Sequence, residues 1–181
     1  MQKESQVKSK LKFLNMLIVL AAVVAVPAAA KAAYVKSPLD GIVVATTYYS
    51  SGSFHGALDI AGPRSTCGTG GVTTGVVQTK FWTIRIHTTA RVCNGNGSGN
   101  ENSATAAYGN GWSFRQFHFN RSSNSRSRTC DRCVIGTHGG TGHATGPHAH
   151  IQYDRYGTRS TSWYSVGRGR SVSRATTVGR I

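Results

Sequence analysis

Acidic side chains are scarce in this 181-residue chain, which has six Asp and Glu against 21 Lys and Arg. Charged residues make up only 15% of the sequence, and their imbalance gives a formal net charge of +15. This composition excludes an acidic disordered chain and a long coiled coil. The basic excess predicts a polyanionic partner or environment, such as nucleic acid, anionic lipid or the acidic polymers of a cell envelope.

Strong helix formers are also few. Glu, Gln, Lys and Leu are scarce, Gly, Ser and Thr are abundant, and no stretch has a useful helical period. Short β-branched and aromatic runs between turn residues predict strands at 42–49, 58–60, 75–78, 81–88, 112–119, 134–136 and 148–153. The sequence therefore predicts a mainly β fold, an antiparallel-sheet or β-sandwich-like single domain with long glycine-rich loops.

The apolar run near the start of the chain is short for a membrane span of about 20 residues. Residues 1–33 instead have the pattern of a secretory signal, with lysines before an apolar run from Phe13 to Val26 and alanines after Pro27. We expect cleavage, an uncleaved anchor being the alternative. A cut near Ala32 removes five Lys and one Glu and leaves 16 basic and 5 acidic side chains, a net charge of +11. We expect a secreted or periplasmic envelope protein without a stable membrane span.

Export determines how the four cysteines are interpreted. In an oxidising compartment they predict two disulfides, Cys130 with Cys133 and Cys67 with Cys93. A thiolate zinc site is the alternative, and it is disfavoured because a second Cys-x-x-Cys is absent.

Two histidine fragments carry the chemistry. Asp59 follows His55 by four residues, and His148 and His150 flank Ala149 after a turn. Residues i and i+2 of a strand project from the same face, so both imidazoles of the pair can point into one cleft. A catalytic zinc site needs three nitrogen or oxygen ligands and an open position. Asp59, His55 and one His of the pair would supply those ligands, and the other His would lie beside the metal without binding it.

Each fragment alone is more typical of surface histidines in loops. Together the two fragments indicate a metal site more specifically, because both fragments follow glycine-containing turns at predicted strand starts. Carboxylates are rare in the chain, yet one of them lies four residues after a histidine.

Three stretches resemble the motifs of the lysostaphin-like (LytM-type) zinc endopeptidases, which cut peptide bonds in bacterial peptidoglycan. Residues 54–61 (FHGALDIA) resemble the first family motif, and residues 142–151 (GHATGPHAHI) closely resemble the last. Residues 112–119 (WSFRQFHF) resemble the family strand that ends in aromatic-x-His-leucine. The likeness spans about residues 38–154, and the last motif is its most specific part.

The resemblance implies one zinc ion per chain, with His55, Asp59 and His150 as metal ligands. It implies that His118 and His148 are catalytic and do not bind the metal. One of these two would help to deprotonate or orient the attacking water, and the other would stabilise the oxyanion or protonate the departing amine. Which residue has which role stays open. The implied activity is that of a zinc metalloendopeptidase acting on peptidoglycan stem peptides or cross-bridges.

The chain also departs from the family pattern. Its stretches at 93–110 and 121–132 are long, and because such loops wall the groove, substrate choice is not carried over. The paired cysteines resemble the β-lytic branch of the family. We expect a catalytic domain over residues 34–156 and a basic Arg/Ser/Gly-rich edge strand or tail over residues 157–181.

The expected partners are peptidoglycan peptides, with electrostatic contact to anionic envelope polymers. We expect a monomer and no specific nucleic acid. The alternatives are a non-catalytic cationic envelope-binding protein and an activator of wall hydrolases on the same fold, and the filled metal-site positions count against both. We expect His143 in a loop near the cleft, and Tyr49 and Trp163 in core or edge packing.

Overall fold

Antiparallel strands form nearly all the regular structure of this chain. The computed structural model describes residues 33–73, 79–95, 97, 100–108, 111–121, 127–130 and 132–181. No α-helix occurs in these ranges, and one short 3₁₀ turn spans Arg64–Thr66. The predicted mainly β, antiparallel single-domain fold is confirmed.

Thirteen strands are described, several of them only two or three residues long. In chain order they are β1 (Tyr34–Lys36), β2 (Gly41–Ala45), β3 (Leu58–Ala61), β4 (Gly71–Thr73), β5 (Thr79–Arg85), β6 (Ser103–Ala107), β7 (Trp112–Phe117), β8 (Ser127–Cys130), β9 (Val134–Thr137), β10 (Ala149–Arg155), β11 (Thr158–Arg159), β12 (Ser171–Val172) and β13 (Thr177–Arg180).

Nine of these strands form one antiparallel sheet. Its order is β12-β2-β3-β10-β7-β6-β5-β8, and β11 also pairs with β10. Two separate two-stranded sheets are formed by β1 with β13 and by β4 with β9. The order places β10 between β3, which carries Asp59, and β7, which directly precedes His118.

Strand β10 is deeply buried in the main sheet. Its first six residues are all buried, on both faces. Tyr153 is fully buried, with ring centroids 5.2 Å from Phe114 and 4.8 Å from Trp163. Because burying an aromatic side chain contributes about 1.5–3 kcal/mol, this packing fixes the strand that presents His150.

Two strands end earlier than the sequence pattern predicts. The run expected over 42–49 stops as β2 at Ala45, after a register irregularity, and Tyr48 forms only an isolated bridge with Phe54. The strand expected over 112–119 stops at Phe117, because His118 has a φ of 74° that no strand tolerates. Both early ends lie beside the candidate site.

Strand β6 is absent from the predicted strands, whereas the predicted strand at 75–78 lies outside the described residues. The sequence of β6, SATAA, has low β propensity, and its strand conformation comes from ladders with β5 and β7.

The segment after Gly157 contributes to the core. Trp163 and Val178 are buried, and β13 pairs with β1 so that Ala33 and Ile181 exchange backbone hydrogen bonds of 2.9 and 3.0 Å. The domain boundaries at residues 33 and 156 stay predictions.

One predicted disulfide is present. Cys67 and Cys93 are bonded across a sequence separation of 26 residues. The side chain of Cys130 lies outside the described residues, so its predicted pairing with Cys133 stays a prediction.

In the part of the chain that the structure describes, no helix has the length and apolar character needed to cross a membrane.

Candidate metal centre

The register between β3 and β10 brings two candidate ligands side by side. Asp59 lies directly opposite His150, and the flanking pairs are Ile60 with Ala149 and Leu58 with Ile151. Directly opposite residues of antiparallel strands project from the same face of the sheet. The two side chains therefore meet, with His150 Nδ1 2.9 Å from Asp59 Oδ1.

His55 reaches the same point from the turn between β2 and β3. Its backbone N–H donates to Thr47 O over 2.9 Å, and its side-chain Nδ1 donates to Thr46 O over 2.8 Å. Gly56 follows with a φ of 66°, a conformation that favours glycine. A side chain there would also meet Phe54 and Arg159 at under 3 Å. The turn thus fixes both the orientation and the tautomer of the His55 ring.

Three potential ligand atoms form a small triangle. His55 Nε2 lies 3.1 Å from His150 Nδ1 and 3.2 Å from Asp59 Oδ1, and the third side measures 2.9 Å. Ligands about 2.0–2.1 Å from a tetrahedral zinc ion stand about 3.3 Å apart. The triangle therefore has the dimensions of three corners of a zinc coordination tetrahedron.

The protonation states of the triangle also fit a cation. Because the Nδ1 proton of His55 is used on Thr46, its Nε2 presents a lone pair to the other two atoms. Asp59 Oδ1 is buried and has no hydrogen-bond partner among the described residues. The lone pairs of His55 Nε2 and Asp59 Oδ1 therefore point at the same place as His150 Nδ1. At most one of these three atoms carries a proton. A divalent cation satisfies such a donor set, and two nitrogens with one carboxylate oxygen suit zinc.

Asp59 is held in its charged form. Burial would raise the pKa of its carboxyl, but the contacts with His150 and His55 outweigh burial and hold that pKa below its usual range. The carboxylate therefore contributes a negative charge to the triangle.

His118 lies next to the triangle and is oriented from behind. Its Nδ1 donates to Thr141 O over 2.7 Å, and the Glu101 carboxylate lies 3.5 Å from the same nitrogen. Burial, with the neighbouring imidazoles of His148 and His150, lowers the pKa of His118 to about 3. The ring is therefore neutral, and its Nε2 is available as a proton acceptor.

His148 completes the group from the other side. Its Nδ1 donates to Gly146 O over 2.9 Å, which leaves Nε2 as the free nitrogen, 3.7 Å from Asp59 Oδ2. The rings of His118 and His148 are 4.6 Å apart by their centroids. Both non-ligand candidates thus stand together at the metal triangle.

A cleft of about 660 Å³ opens onto these residues. Its lining includes Val44, Tyr49 and the serines that follow Tyr49, together with Arg64 and residues 143–147. His118, His148, His150 and Asp59 all line it. A peptide in this cleft would lie against the metal triangle and both other histidines.

All five candidate residues of the sequence analysis meet at one site, whereas two other histidines do not. His138 is buried and does not line the cleft, and its Nδ1 is 2.9 Å from Thr66 Oγ1. His87 lines a separate depression. His143 is exposed and lines the cleft.

Sequence reasoning missed the cleft role of Tyr49. Its ring packs on the His55 ring with centroids 4.3 Å apart, and it lines the cleft while remaining 45% exposed. The pattern of two adjacent tyrosines before a Ser-rich turn suggested only packing. Its position six residues before His55, across a turn, was the available signal.

The supporting residue Arg159 was missed as well. Its Nη1 donates to His55 O over 2.7 Å, and its Nη2 donates to Gln152 Oε1 over 2.6 Å. Gln152 belongs to β10, two residues after His150. Arg159 thereby links the turn that carries one candidate ligand to the strand that carries another.

No family model matches the chain, and no curated protein matches it. Among solved structures, it is similar to a zinc-containing peptidase from Vibrio cholerae, with 18% identity and a TM-score of 0.41 over 70% of this chain and 38% of that one. It is also similar to a mutant catalytic domain of the prophage-encoded M23 protein EnpA from Enterococcus faecalis, with 15% identity and a TM-score of 0.37 over 77% and 88% of the two chains. The chain thus spans well under half the length of the first of these.

Proposed function

We propose that this chain is a secreted or periplasmic zinc-dependent endopeptidase that hydrolyses peptide bonds in the stem peptides or cross-bridges of bacterial peptidoglycan. The observation that carries the proposal is the triangle of His55, Asp59 and His150, with His118 and His148 beside it in one cleft. The resemblance of residues 54–61 and 142–151 to the LytM-type motifs supports peptidoglycan peptides as the substrate.

The chain's own groups divide the work of peptide hydrolysis. A single zinc ion held by the triangle would supply Lewis-acid polarisation of the scissile carbonyl and activation of a water nucleophile. His118 and His148 both direct Nε2 toward the site, because their Nδ1 atoms are committed to Thr141 and Gly146 carbonyls. One Nε2 would accept the proton of the nucleophile. The other Nε2 would first take up a proton from solvent, and the resulting imidazolium would donate to the developing oxyanion or the departing amine.

A purely binding role or an activator role leaves these features unexplained. Envelope binding needs exposed basic residues, not two buried histidines whose tautomers are fixed by backbone carbonyls. A buried acceptor without a hydrogen-bond partner is costly to maintain, so the position of Asp59 Oδ1 between two imidazoles favours a bound cation.

Digestion of purified peptidoglycan sacculi tests the proposal. The protein should release peptide fragments with new amino and carboxyl termini, as measured by mass spectrometry, and a chelator should stop the release until zinc is restored. The variant Asp59→Asn should lose both the metal and the activity. The matched control is Asp40→Asn, which alters an exposed carboxylate that accepts from Arg174 N–H and does not line the cleft. Intact sacculi after incubation with zinc-loaded protein would reject the proposed function.

We further propose that the basic surface concentrates the protein on anionic envelope polymers. A net charge of +15 for the full chain supports long-range attraction. Because exposed charges are screened over about 8–10 Å at physiological salt, retention on sacculi should fall steeply as salt is added. Retention that is independent of salt would exclude an electrostatic contact.

A further inference from the structure

Few charged side chains line the cleft, and they differ in whether they already have a partner in the protein. Among the described residues that line the cleft, Asp59 is the only carboxylate, and it is committed to the metal triangle. Arg64 is the only Lys or Arg of the same described lining. Within that part of the lining, Arg64 is therefore the permanent side-chain cation outside the metal centre.

The guanidinium of Arg64 has no acceptor among the described residues. It is exposed, and within the described part of the chain it makes no hydrogen bond or ion pair. Other arginines are engaged: Arg91 donates to Cys67 O, and Arg159 donates to His55 O and Gln152. Arg64 thus keeps all its donors for a molecule that enters the cleft.

The backbone that carries Arg64 is held in place. Thr66 closes the 3₁₀ turn with a backbone N–H bond to Pro63 O of 3.0 Å, and its hydroxyl contacts the buried His138. Cys67, the next residue, is fixed by its disulfide to Cys93. The cation is therefore presented from a rigid segment, although its side chain is exposed.

The position of Arg64 relates it to the reacting groups. Its Nη2 lies 3.7 Å from the point where a Cβ on Gly146 would be. The carbonyl of Gly146 accepts the hydrogen bond that orients His148. Arg64 thus lies beside the residue whose carbonyl orients a candidate catalytic histidine, and it lines the same cleft.

We propose that Arg64 binds a carboxylate of the substrate peptide, so that the cleft selects anionic peptides over their amidated counterparts. This inference rests on the proposed peptidase function. Guanidinium groups bind carboxylates through two parallel N–H···O bonds, and these are stronger than bonds between neutral groups. Stem peptides supply such a group wherever a carboxyl next to the cut bond is free instead of amidated.

A pair of soluble cross-linked stem peptides tests the proposal. The two substrates are identical except that free carboxylates of one are primary amides in the other. The zinc-loaded protein should cleave the carboxylate form with a kcat/KM higher by about tenfold or more, the effect of one charge-assisted hydrogen-bonded contact. Arg64→Gln should remove this preference, and Arg64→Lys, which keeps charge but not the planar fork, should retain part of it.

The matched control is Arg168→Gln, which removes an equal charge from an exposed site that does not line the cleft. It should keep the wild-type preference, and zinc content measured on every variant should be equal. Equal cleavage of both peptides by the wild type would overturn the role of Arg64 while upholding the peptidase function, and so would a preference that survives in Arg64→Gln. Cleavage of neither peptide, together with intact sacculi, would overturn both.

Discussion

His118 has a backbone conformation that residues other than glycine rarely adopt, with a φ of 74°. Three hydrogen bonds hold it there. Its N–H donates to Asn102 O, its carbonyl accepts from Thr141 N–H, and its Nδ1 donates to Thr141 O. Left-handed conformations at non-glycine positions cost about 1–3 kcal/mol and persist where surrounding contacts fix them. The strained backbone at His118 therefore lowers the stability of the fold, and it orients this imidazole toward the cleft.

The division between ligands and other histidines gives the first prediction. His148→Ala should lower turnover by at least about 100-fold, the usual contribution of a general acid or base, and should leave zinc bound. Activity on sacculi and metal content by mass spectrometry measure the two effects. The control is His143→Ala, an exposed cleft residue. Loss of zinc from His148→Ala would show that His148 is itself a ligand.

Most residues of the candidate site could be predicted from short motifs. The signals were local: Asp59 follows His55 by four residues, and His148 and His150 form an i, i+2 pair. Buried polar side chains that hold the surrounding loops by hydrogen bonds could not be predicted from any local motif. Asn102, for example, accepts from His87 N–H and Thr88 N–H and donates to Phe119 O, partners 14 to 17 residues away. An asparagine at the end of a Gly/Asn-rich stretch is typical of a loop, and only the folded chain shows which carbonyls and amides it satisfies.

At the scale of elements, strand β10 connects the site with the rest of the sheet. It presents His150 beside Asp59 of β3 on one side and pairs with Phe117, the last residue of β7, on the other. Gln152, two residues further along β10, receives Arg159, which also binds the carbonyl of His55. Two strands and one turn are thereby held at a fixed separation around the triangle.

Removing this link gives the second prediction. Arg159→Ala should weaken zinc binding by about tenfold, because residues that orient metal ligands typically contribute at that scale. Competition with a chromophoric chelator measures the affinity, and the visible spectrum of the cobalt-substituted protein reports any change in ligand geometry. Arg168→Ala is the control with the same loss of charge. An unchanged affinity and cobalt spectrum would show that the link to His55 O does not position the ligand.

The bond between Cys67 and Cys93 gives the third prediction. Closing a loop of this length stabilises a fold by about 3 kcal/mol in the chain-entropy account. The double variant Cys67→Ala/Cys93→Ala should therefore melt at a lower temperature, and reducing agent should lower the melting temperature of the wild type. Reducing agent should have less effect on the double variant than on the wild type. Equal melting temperatures for the two proteins would contradict a stabilising role.

Strand existence was easier to predict than strand ends. The β-branched and aromatic runs that became β2, β7 and β10 gave a clear signal, whereas β6 consists of Ser, Ala and Thr. Its conformation is imposed by two neighbouring strands, which a local pattern cannot show. The premature ends at Ala45 and Phe117 have the same origin, since each is set by contacts around the site.

At the scale of the whole molecule, the basic C-terminal segment is part of the architecture. It supplies Trp163 and Val178 to the core, Arg159 to the metal centre, and β13 to a sheet with β1. Composition alone suggested an edge strand or a tail in contact with a polyanion. Arginine-rich composition does not separate side chains that bind the protein's own carbonyls from those left exposed, such as Arg168 and Arg170.

The three candidate ligands lie on backbone segments whose amides should differ in protection against hydrogen exchange. This difference gives the last prediction. His150 lies on a strand paired on both sides, and Asp59 lies on β3 between β2 and β10, whereas His55 lies outside any strand, on a connection closed by the hydrogen bonds of Thr47. Local openings should therefore expose amides 47–56 to deuterium far more often than amides 149–153. Zinc loading should slow deuterium uptake mainly in the first segment, as measured by mass spectrometry of peptic fragments. Equal slowing in both segments would mean that the metal tightens the whole sheet, whereas slowing confined to 47–56 would mean that the ion chiefly immobilises one loop against a scaffold already closed.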